Sequence, residues 1–188
     1  MSDPRQALVD AATSVVGWTA PDDDYLNLID PGDPTVRQRS VAGESDCGLV
    51  ALGIQEIVFD LPARGPYVNG STFNLIYTRA CGNPWAPGGA MRLATLDAPP
   101  QLGDVVVYGD VPGPAHMEHV VEATVNVASM SLKCVAGGEK KGAFETVAVM
   151  ERELTWGGSH WIDNANKRQI VGVVDAEILA SMYTMKAS

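Results

Sequence analysis

The stretch from Pro99 to Tyr108, PPQLGDVVVY, lies where the sequence changes from helical patterns to strand patterns. Before it, apolar residues recur at helical spacing, most clearly between Asp46 and Asp60. After it come short runs rich in β-branched residues, separated by Gly, Pro, Asn and Lys. Helices first and strands second predict an α+β fold, with N-terminal helices packed on a segregated antiparallel sheet of about five strands.

The bounds of the predicted elements follow from these patterns and from their end signals. The first helix has Asp3 as its cap, Pro4 in its first position and Gly17 after its end. Helices are predicted from about Pro4 to Val16, Asp46 to Asp60, Thr72 to Ala80 and Ala176 to Met185, with a long loop from Thr19 to Ser40. Strands are predicted from Val105 to Tyr108, His119 to Val125, Leu132 to Val135, Thr146 to Met150 and Gln169 to Val174.

Length and charge exclude several classes of function. The 188 residues are enough for one well-buried core, so a single domain covering residues 1–188 is expected. With 13 basic and 23 acidic residues the net charge is −10, which argues against nucleic-acid binding because no Lys/Arg cluster can displace counterions from phosphates. No apolar run approaches the length of a membrane span, and the N-terminus lacks a secretory signal. We therefore expect synthesis in the cytoplasm without a signal peptide, and other machinery must deliver the protein to any substrate outside.

The strongest chemical signal is the segment from Gly43 to Val50, GESDCGLV. It places Cys47 in the first turn of an apolar helix, where unpaired backbone N–H groups and the helix dipole favour a thiolate. Gly48 leaves room for a substrate carbonyl, and the N–H of Cys47 is a candidate donor of an oxyanion hole. A buried structural cysteine fits the same segment equally well.

The three histidines limit the choice of a base for this cysteine. His119 opens a predicted strand; at a sheet edge it would face the helix N-terminus, where a ring nitrogen in reach of the sulfur completes a Cys–His dyad. A solvated His119 is the alternative. His116 is predicted to be a loop residue. His160 lies in the loop from Trp156 to Trp161, where the two tryptophans either line a cleft or, as we favour, anchor the loop.

The remaining cysteines and the acidic runs give no metal site. Cys81 and Cys134 form either one disulfide or, as their sparse number favours, two small buried residues. No Cys-x-x-Cys pair suggests zinc. The run from Asp22 to Asp24 lacks the alternating ligand spacing of a calcium loop, so a solvated turn is expected there. The sequence therefore predicts no metal or organic cofactor.

Several short motifs resemble those of cysteine peptidases of the NlpC and CHAP type. Asp46 to Val50, DCGLV, resembles the nucleophile segment of NlpC-type peptidases, with one small residue missing. Pro100 to Val106, PQLGDVV, resembles the Pro-x-x-Gly-Asp strand that precedes their catalytic histidine, and His119 to Val121 resembles the His-Val-Gly or His-Val-Ala strand itself. Asp60 to Gly65, DLPARG, is similar to the Pro-x-Arg-Gly turn of amidase toxins from interbacterial secretion systems. The motifs occur in the order that these families show.

This resemblance implies a papain-like NlpC/CHAP fold and a Cys–His acyl-transfer mechanism that cleaves an amide bond in bacterial cell-wall peptide. Cys47 would be the nucleophile and His119 the base. Glu139 would orient the histidine, because it follows Gly137-Gly138 where some relatives carry Gly-Gly-Asn-Gln. Three polar residues near His160 are the alternatives for that role: Asp163, Asn164 and Asn166.

The resemblance also implies the biological setting. The substrate would be a peptidoglycan peptide, the chain a phage lysis enzyme or an injected effector toxin, and an inhibitory immunity protein a partner. An intracellular papain-like protease or deamidase acting on proteins is the second enzymatic interpretation. A catalytically inactive interaction module of the same fold is the interpretation from a different class, and the presence of both Cys47 and His119 argues against it.

Overall fold

The computed structural model describes residues 3–29, 47–61, 89–110 and 113–187. Over these ranges four helices are present, α1 (Pro4–Ser14), α2 (Asp23–Ile29), α3 (Cys47–Val58) and α4 (Ala176–Met182). The same ranges contain seven strands: β1 (Met91–Arg92), β2 (Val105–Asp110), β3 (Gly113–Val125), β4 (Ser129–Lys141), β5 (Phe144–Trp156), β6 (Trp161–Asp163) and β7 (Gln169–Val174).

The strands form a closed antiparallel barrel rather than a one-sided sheet. Their order is β1-β7-β2-β3-β4-β5-β6, and an additional pairing between Ile162 and Gln169 joins β6 to β7. Six strands therefore close on themselves, while β1 extends the structure from β7. The predicted papain-like NlpC/CHAP fold, with helices packed on a segregated sheet, is wrong because β7 pairs with both β2 and β6 and leaves no open sheet.

Length and bulges explain why the sheet curls. Strands β3, β4 and β5 each have 13 residues, much longer than the predicted strands. Their pairing registers shift between Val120 and Glu122 in β3 and between Ala136 and Glu139 in β4. Such bulges bend a strand and increase its twist, and both changes help a sheet to close.

The two faces of the barrel wall form two separate apolar cores. One cluster includes Val107, Met117 and Val135 and packs against α1, α2 and α3 on the outside. The other includes Tyr108, Val120 and other alternate residues of the same strands, and it fills the interior. Because side chains alternate along a strand, residues 116, 118 and 120 of β3, before its bulge, point into the barrel.

The N-terminal helix agrees with its prediction, whereas α2 does not. In α1, the Asp3 carboxylate accepts a hydrogen bond from the Arg5 N–H, and Pro4 occupies the first turn, as predicted. Helix α2 lies inside the segment predicted to be a loop, and its apolar residues are buried. The helix predicted from Thr72 to Ala80 lies outside the described residues.

Helix α3 lies close to β4 because Gly137 has no side chain. A Cβ atom at Gly137 would lie 2.3 Å from Cγ2 of Val50. Gly53 has the same role toward α2, since a Cβ there would lie 2.2 Å from the Leu28 carbonyl oxygen. The first close approach sets the distance between α3 and β4, and the second sets the distance between α3 and α2.

Gly137→Ala is expected to lower the free energy of unfolding by about 1 to 3 kcal/mol, because the added methyl group overlaps a β-branched side chain that cannot rotate away. Urea denaturation followed by circular dichroism measures the change. Lys133→Ala, on the outer face of the same strand, is the control and should leave stability nearly unchanged, because its ion pair with Glu122 is exposed. A Gly137→Ala protein as stable as the wild type would show that α3 does not approach β4 this closely.

Asp104 joins the helices to one end of the barrel. Its buried carboxylate accepts hydrogen bonds from Arg5 of α1 at 2.7 Å and from Arg92 of β1 at 3.0 Å. It also accepts from the backbone N–H groups of Gln101 at 3.0 Å and of Ala176, the first residue of α4, at 3.1 Å. The Gly-Asp pair that resembles a peptidase motif thus ties three elements together.

None of the helices in the described ranges has the length and apolar character needed to cross a membrane.

Candidate functional site

Cys47 begins α3 and so lies in its first turn, as predicted, and its side chain lies within hydrogen-bonding reach of the His116 ring. The first turn of an α-helix carries N–H groups without intrahelical partners and a partial positive charge, both of which favour a thiolate. Helix α3 packs against β3 and β4, and this packing brings Cys47 to the His116 end of β3. The structure therefore places a thiol at a helix N-terminus beside an imidazole ring.

His116 is the second member of the cluster and is held by a carboxylate. Its Nε2 lies 2.9 Å from Oε1 of Glu118, which follows it on the same face of β3. Burial alone would lower the pKa of His116, but hydrogen bonds and negative charge from Cys47 and Glu118 raise it to about 9. His116 is therefore an imidazolium at neutral pH, and Nε2 donates to Glu118.

Glu118 is fully buried inside the barrel and is kept ionised by two cations. The Nε and Nη2 atoms of Arg152, on β5, donate to both of its oxygens. Burial opposes the charge of Glu118, yet the hydrogen bonds from His116 and Arg152 hold the pKa of this carboxyl below its ordinary value. Cys47, His116, Glu118 and Arg152 form one connected line of polar groups.

The line ends at Asp163 on β6. Oδ2 of Asp163 lies 3.7 Å from Nη1 of Arg152, and its Oδ1 accepts a hydrogen bond from the Ala165 N–H at 2.8 Å. Asp163 was an alternative orienter of the histidine. The structure places it in the same buried cluster, separated from His116 by Glu118 and Arg152.

His119 does not contact Cys47 through either ring nitrogen. Its Nε2 lies 3.0 Å from the carbonyl oxygen of Ala51, in the middle of α3, and Nδ1 has no hydrogen-bond partner. The ring is buried on the helix side of β3, one residue out of phase with His116 and Glu118. Burial lowers its pKa to about 4, against a smaller opposing effect of the Ala51 hydrogen bond. The prediction that His119 lies at a sheet edge fails because β3 is paired on both sides, with β2 and β4.

Glu139, the predicted orienter, lies beside His116 rather than His119. Its Oε1 is 4.0 Å from Nε2 of His116, and its side chain is 31% exposed. Glu118, at 2.9 Å and fully buried, makes the closer contact with the same nitrogen. Glu139 thus stands at the solvent side of the cluster.

The other polar residues singled out in the sequence lie apart from this line. Asn164 accepts a hydrogen bond from the Thr155 hydroxyl, and Asn166 accepts one from the Arg168 N–H. His160 pairs with the hydroxyl of Ser159 through Nδ1. Beside it, Trp161 is completely buried and packs edge-on against Trp156, with 5.5 Å between the ring centroids, as expected of residues that anchor a loop.

The two described cysteines have opposite surroundings. Cys134 is a free cysteine inside the barrel, where burial and the neighbouring Glu118 carboxylate raise the pKa of its thiol well above the usual value. Cys47 instead faces an imidazolium. Cys81 and the motif residues 62–65 lie outside the described residues. Both cysteine side chains are buried, but Cys134 lies beside the Glu118 carboxylate and Cys47 beside the His116 ring.

The sequence analysis did not assign three residues to the site that the structure places there: His116, Glu118 and Arg152. Gly113 and Pro114 suggest a loop, so the predicted strand began only at His119. The available signal was the spacing His-x-Glu, which puts both side chains on one face if the strand begins earlier. Arg152 carried no local signal because its partner lies on another strand.

Across the described ranges, no group of three or more His, Cys, Asp or Glu side chains is arranged to hold a metal ion. Comparisons with protein-family models, with curated proteins and with solved structures found no match. The likeness to NlpC-type and CHAP-type peptidases therefore stays a resemblance of short motifs.

Proposed function

We propose that this protein is a cysteine hydrolase that cleaves amide bonds by acyl transfer, with Cys47 as nucleophile, His116 as acid and base, and Glu118 as the residue that orients His116. The observation that carries the proposal is the direct contact between Cys47, at a helix N-terminus, and a His116 ring that a buried carboxylate holds in place. Nucleophile, base and orienting group in hydrogen-bond sequence are the recurring arrangement of covalent hydrolases.

The chemistry follows from the charge state of the pair. The thiolate of Cys47 attacks the amide carbonyl, and the partial positive charge at the N-terminus of α3 stabilises the oxyanion. The His116 imidazolium then gives its proton to the leaving amine as the C–N bond breaks. Neutral His116 removes a proton from water, the hydroxide attacks the thioester, and the carboxylic acid leaves as the thiolate is restored.

For the substrate we propose an amide bond in bacterial cell-wall peptide, which the motif resemblance supports. The proposal predicts that the purified protein releases defined fragments from peptidoglycan. A protease or deamidase acting on proteins is the second candidate, and it would leave cell walls intact. Mass spectrometry of muropeptides after incubation with wild type and Cys47→Ala distinguishes the two.

Rapid alkylation of Cys47 is expected even before a substrate is known, because a thiolate paired with an imidazolium reacts at pH values where an ordinary thiol, with a pKa near ~8.5, is protonated. Iodoacetamide labelling followed by peptide mapping measures it. Cys134 is the internal control and should remain unlabelled in the folded protein, because it is buried beside a carboxylate.

Cys47→Ala should remove the fast label and all hydrolysis. Preferential labelling of Cys134 or Cys81, or a Cys47 that reacts no faster than free cysteine, would contradict the proposal. In that case the intact cluster would have a structural role, as in a catalytically inactive interaction module.

A further inference from the structure

The line of polar groups continues past the proposed catalytic residues, and its next member is Arg152. The side chain of Arg152 is largely buried, with 12% of its surface exposed, and points into the barrel from β5. It contacts both oxygens of Glu118 through Nε and Nη2, while Nη1 faces Asp163. A planar guanidinium gripping a carboxylate with two nitrogens fixes its orientation as well as its charge.

We propose that Arg152 is a positioning residue: it holds Glu118 ionised and aimed at His116, so that the mobile proton of the pair stays on His116, next to Cys47. This inference rests on the proposed function. It extends that function to Arg152, which acts through Glu118 and does not itself touch the substrate carbonyl.

The alternative location for that proton is Glu118 itself. A carboxylate with no exposed surface is costly to keep ionised unless cations surround it. With His116 as its only cation, a neutral pair of carboxylic acid and imidazole would compete with the charged pair. A neutral imidazole would leave the Cys47 thiolate without a counter-ion, and the thiol would hold its proton to higher pH.

The groups that face Glu118 come from five strands. His116 and Arg152 supply positive charge, from β3 and β5. Cys134 of β4 contacts the carboxylate as a neutral thiol, and Glu139 of β4 approaches His116 from the solvent side. The remaining groups lie farther along the interior: Tyr108 of β2 and Asp163 of β6. Among these, only Arg152 both bonds Glu118 and carries a permanent charge.

The test compares Arg152→Gln and Arg152→Lys with wild type by carbon NMR of ¹³C-labelled glutamate, using Glu118→Gln to assign the Glu118 signal. Removing Arg152 takes away an interaction that lowers the pKa of Glu118 and leaves its burial in place, so the titration midpoint must move upward. The midpoint at which the rate of Cys47 alkylation rises with pH should move upward with it. At pH values below that midpoint, the rate should fall about tenfold for each pH unit of displacement.

Arg152→Lys serves as the conservative variant. Lysine replaces the planar fork with a point charge, so both midpoints should move in the same direction by a smaller amount. If Arg152→Gln fails to fold, the lysine variant alone decides, and an unchanged Glu118 midpoint overturns the inference. Arg168→Gln, the same substitution at an exposed arginine, is the matched control and should leave both midpoints in place.

The outcomes separate this inference from the proposed function. If a folded Arg152→Gln protein keeps the wild-type Glu118 titration midpoint and the wild-type pH dependence of Cys47 alkylation, the role of Arg152 is overturned, whatever the wild type hydrolyses. A Glu118 midpoint that moves as stated, in a protein whose wild-type Cys47 reacts like free cysteine, would support the electrostatic role and overturn the hydrolase.

Discussion

His116→Ala is expected to lower amide hydrolysis by at least ~10³-fold while the barrel stays folded, because the variant loses both the acid and the base of the reaction. The side chain is 11% exposed, so its removal costs some packing, but Glu118 keeps its pairing with Arg152 and the core clusters on both faces of the barrel wall are untouched. Muropeptide release measures the activity and circular dichroism the fold. Cys47→Ala and the double variant should lose about as much, since the two residues act as a unit.

His119→Ala is the contrasting variant. His119 fills a completely buried position against α3, so its truncation should lower the free energy of unfolding by about 2 kcal/mol or more. The folded protein holds this histidine neutral, with a pKa near 4, whereas the unfolded chain protonates it near ~6.5. Its neutral form therefore supports the fold above about pH 6.5, and that support falls by about 3 kcal/mol as the pH drops to 4.

The variant should consequently lose part of the steep acid sensitivity of the wild type in urea titrations at several pH values. If His119→Ala were inactive at normal stability while His116→Ala remained active, the assignment of the base to His116 would be wrong.

Asp104→Ala is expected to have the largest effect on stability, with a loss of about 3 to 5 kcal/mol. Its removal leaves the partly buried guanidinium groups of Arg5 and Arg92 without their shared anion, and the Ala176 N–H without its acceptor. Asp175 retains contacts with both arginines, at 3.4 Å and 2.7 Å, and so prevents their complete loss of pairing. Thermal and urea denaturation measure the loss.

Asp97→Ala, the same substitution at an exposed position in the loop before β2, should leave stability nearly unchanged. An Asp104→Ala protein with wild-type stability and no activity would show that Asp104 acts in catalysis and not in stabilising the fold.

Local signals in the sequence predicted the parts of the fold that local physics decides. A cap, a first-turn proline and helical spacing located α1. The apolar run after Cys47 located α3 and put the cysteine at its start. Closure of the barrel had no such signal, because it depends on β7 pairing with two strands at once. The sequence shows which residues favour a strand, but it does not show which strands pair with one another.

The missing half of the site has a physical explanation of its own. Strand prediction relies on apolar residues at inward-facing positions, and in β3 two of those positions hold His116 and Glu118. Gly113 and Pro114 made this part of the chain look like a loop, and the polar residues His116 and Glu118 gave no apolar alternation to indicate a strand before His119. Helix α2 was concealed similarly, by the acidic residues Asp22 to Asp24 at its start.

The distribution of the polar line over α3, β3, β5 and β6 has a consequence for the protein during its synthesis. Cys47 is synthesised before Arg152 and Asp163, because it precedes them in the sequence. A nascent chain that stops before β5 carries Cys47, His116 and Glu118 without Arg152, which holds the Glu118 carboxylate in the folded barrel. The polar line is therefore complete only when β5 and β6 have joined the barrel.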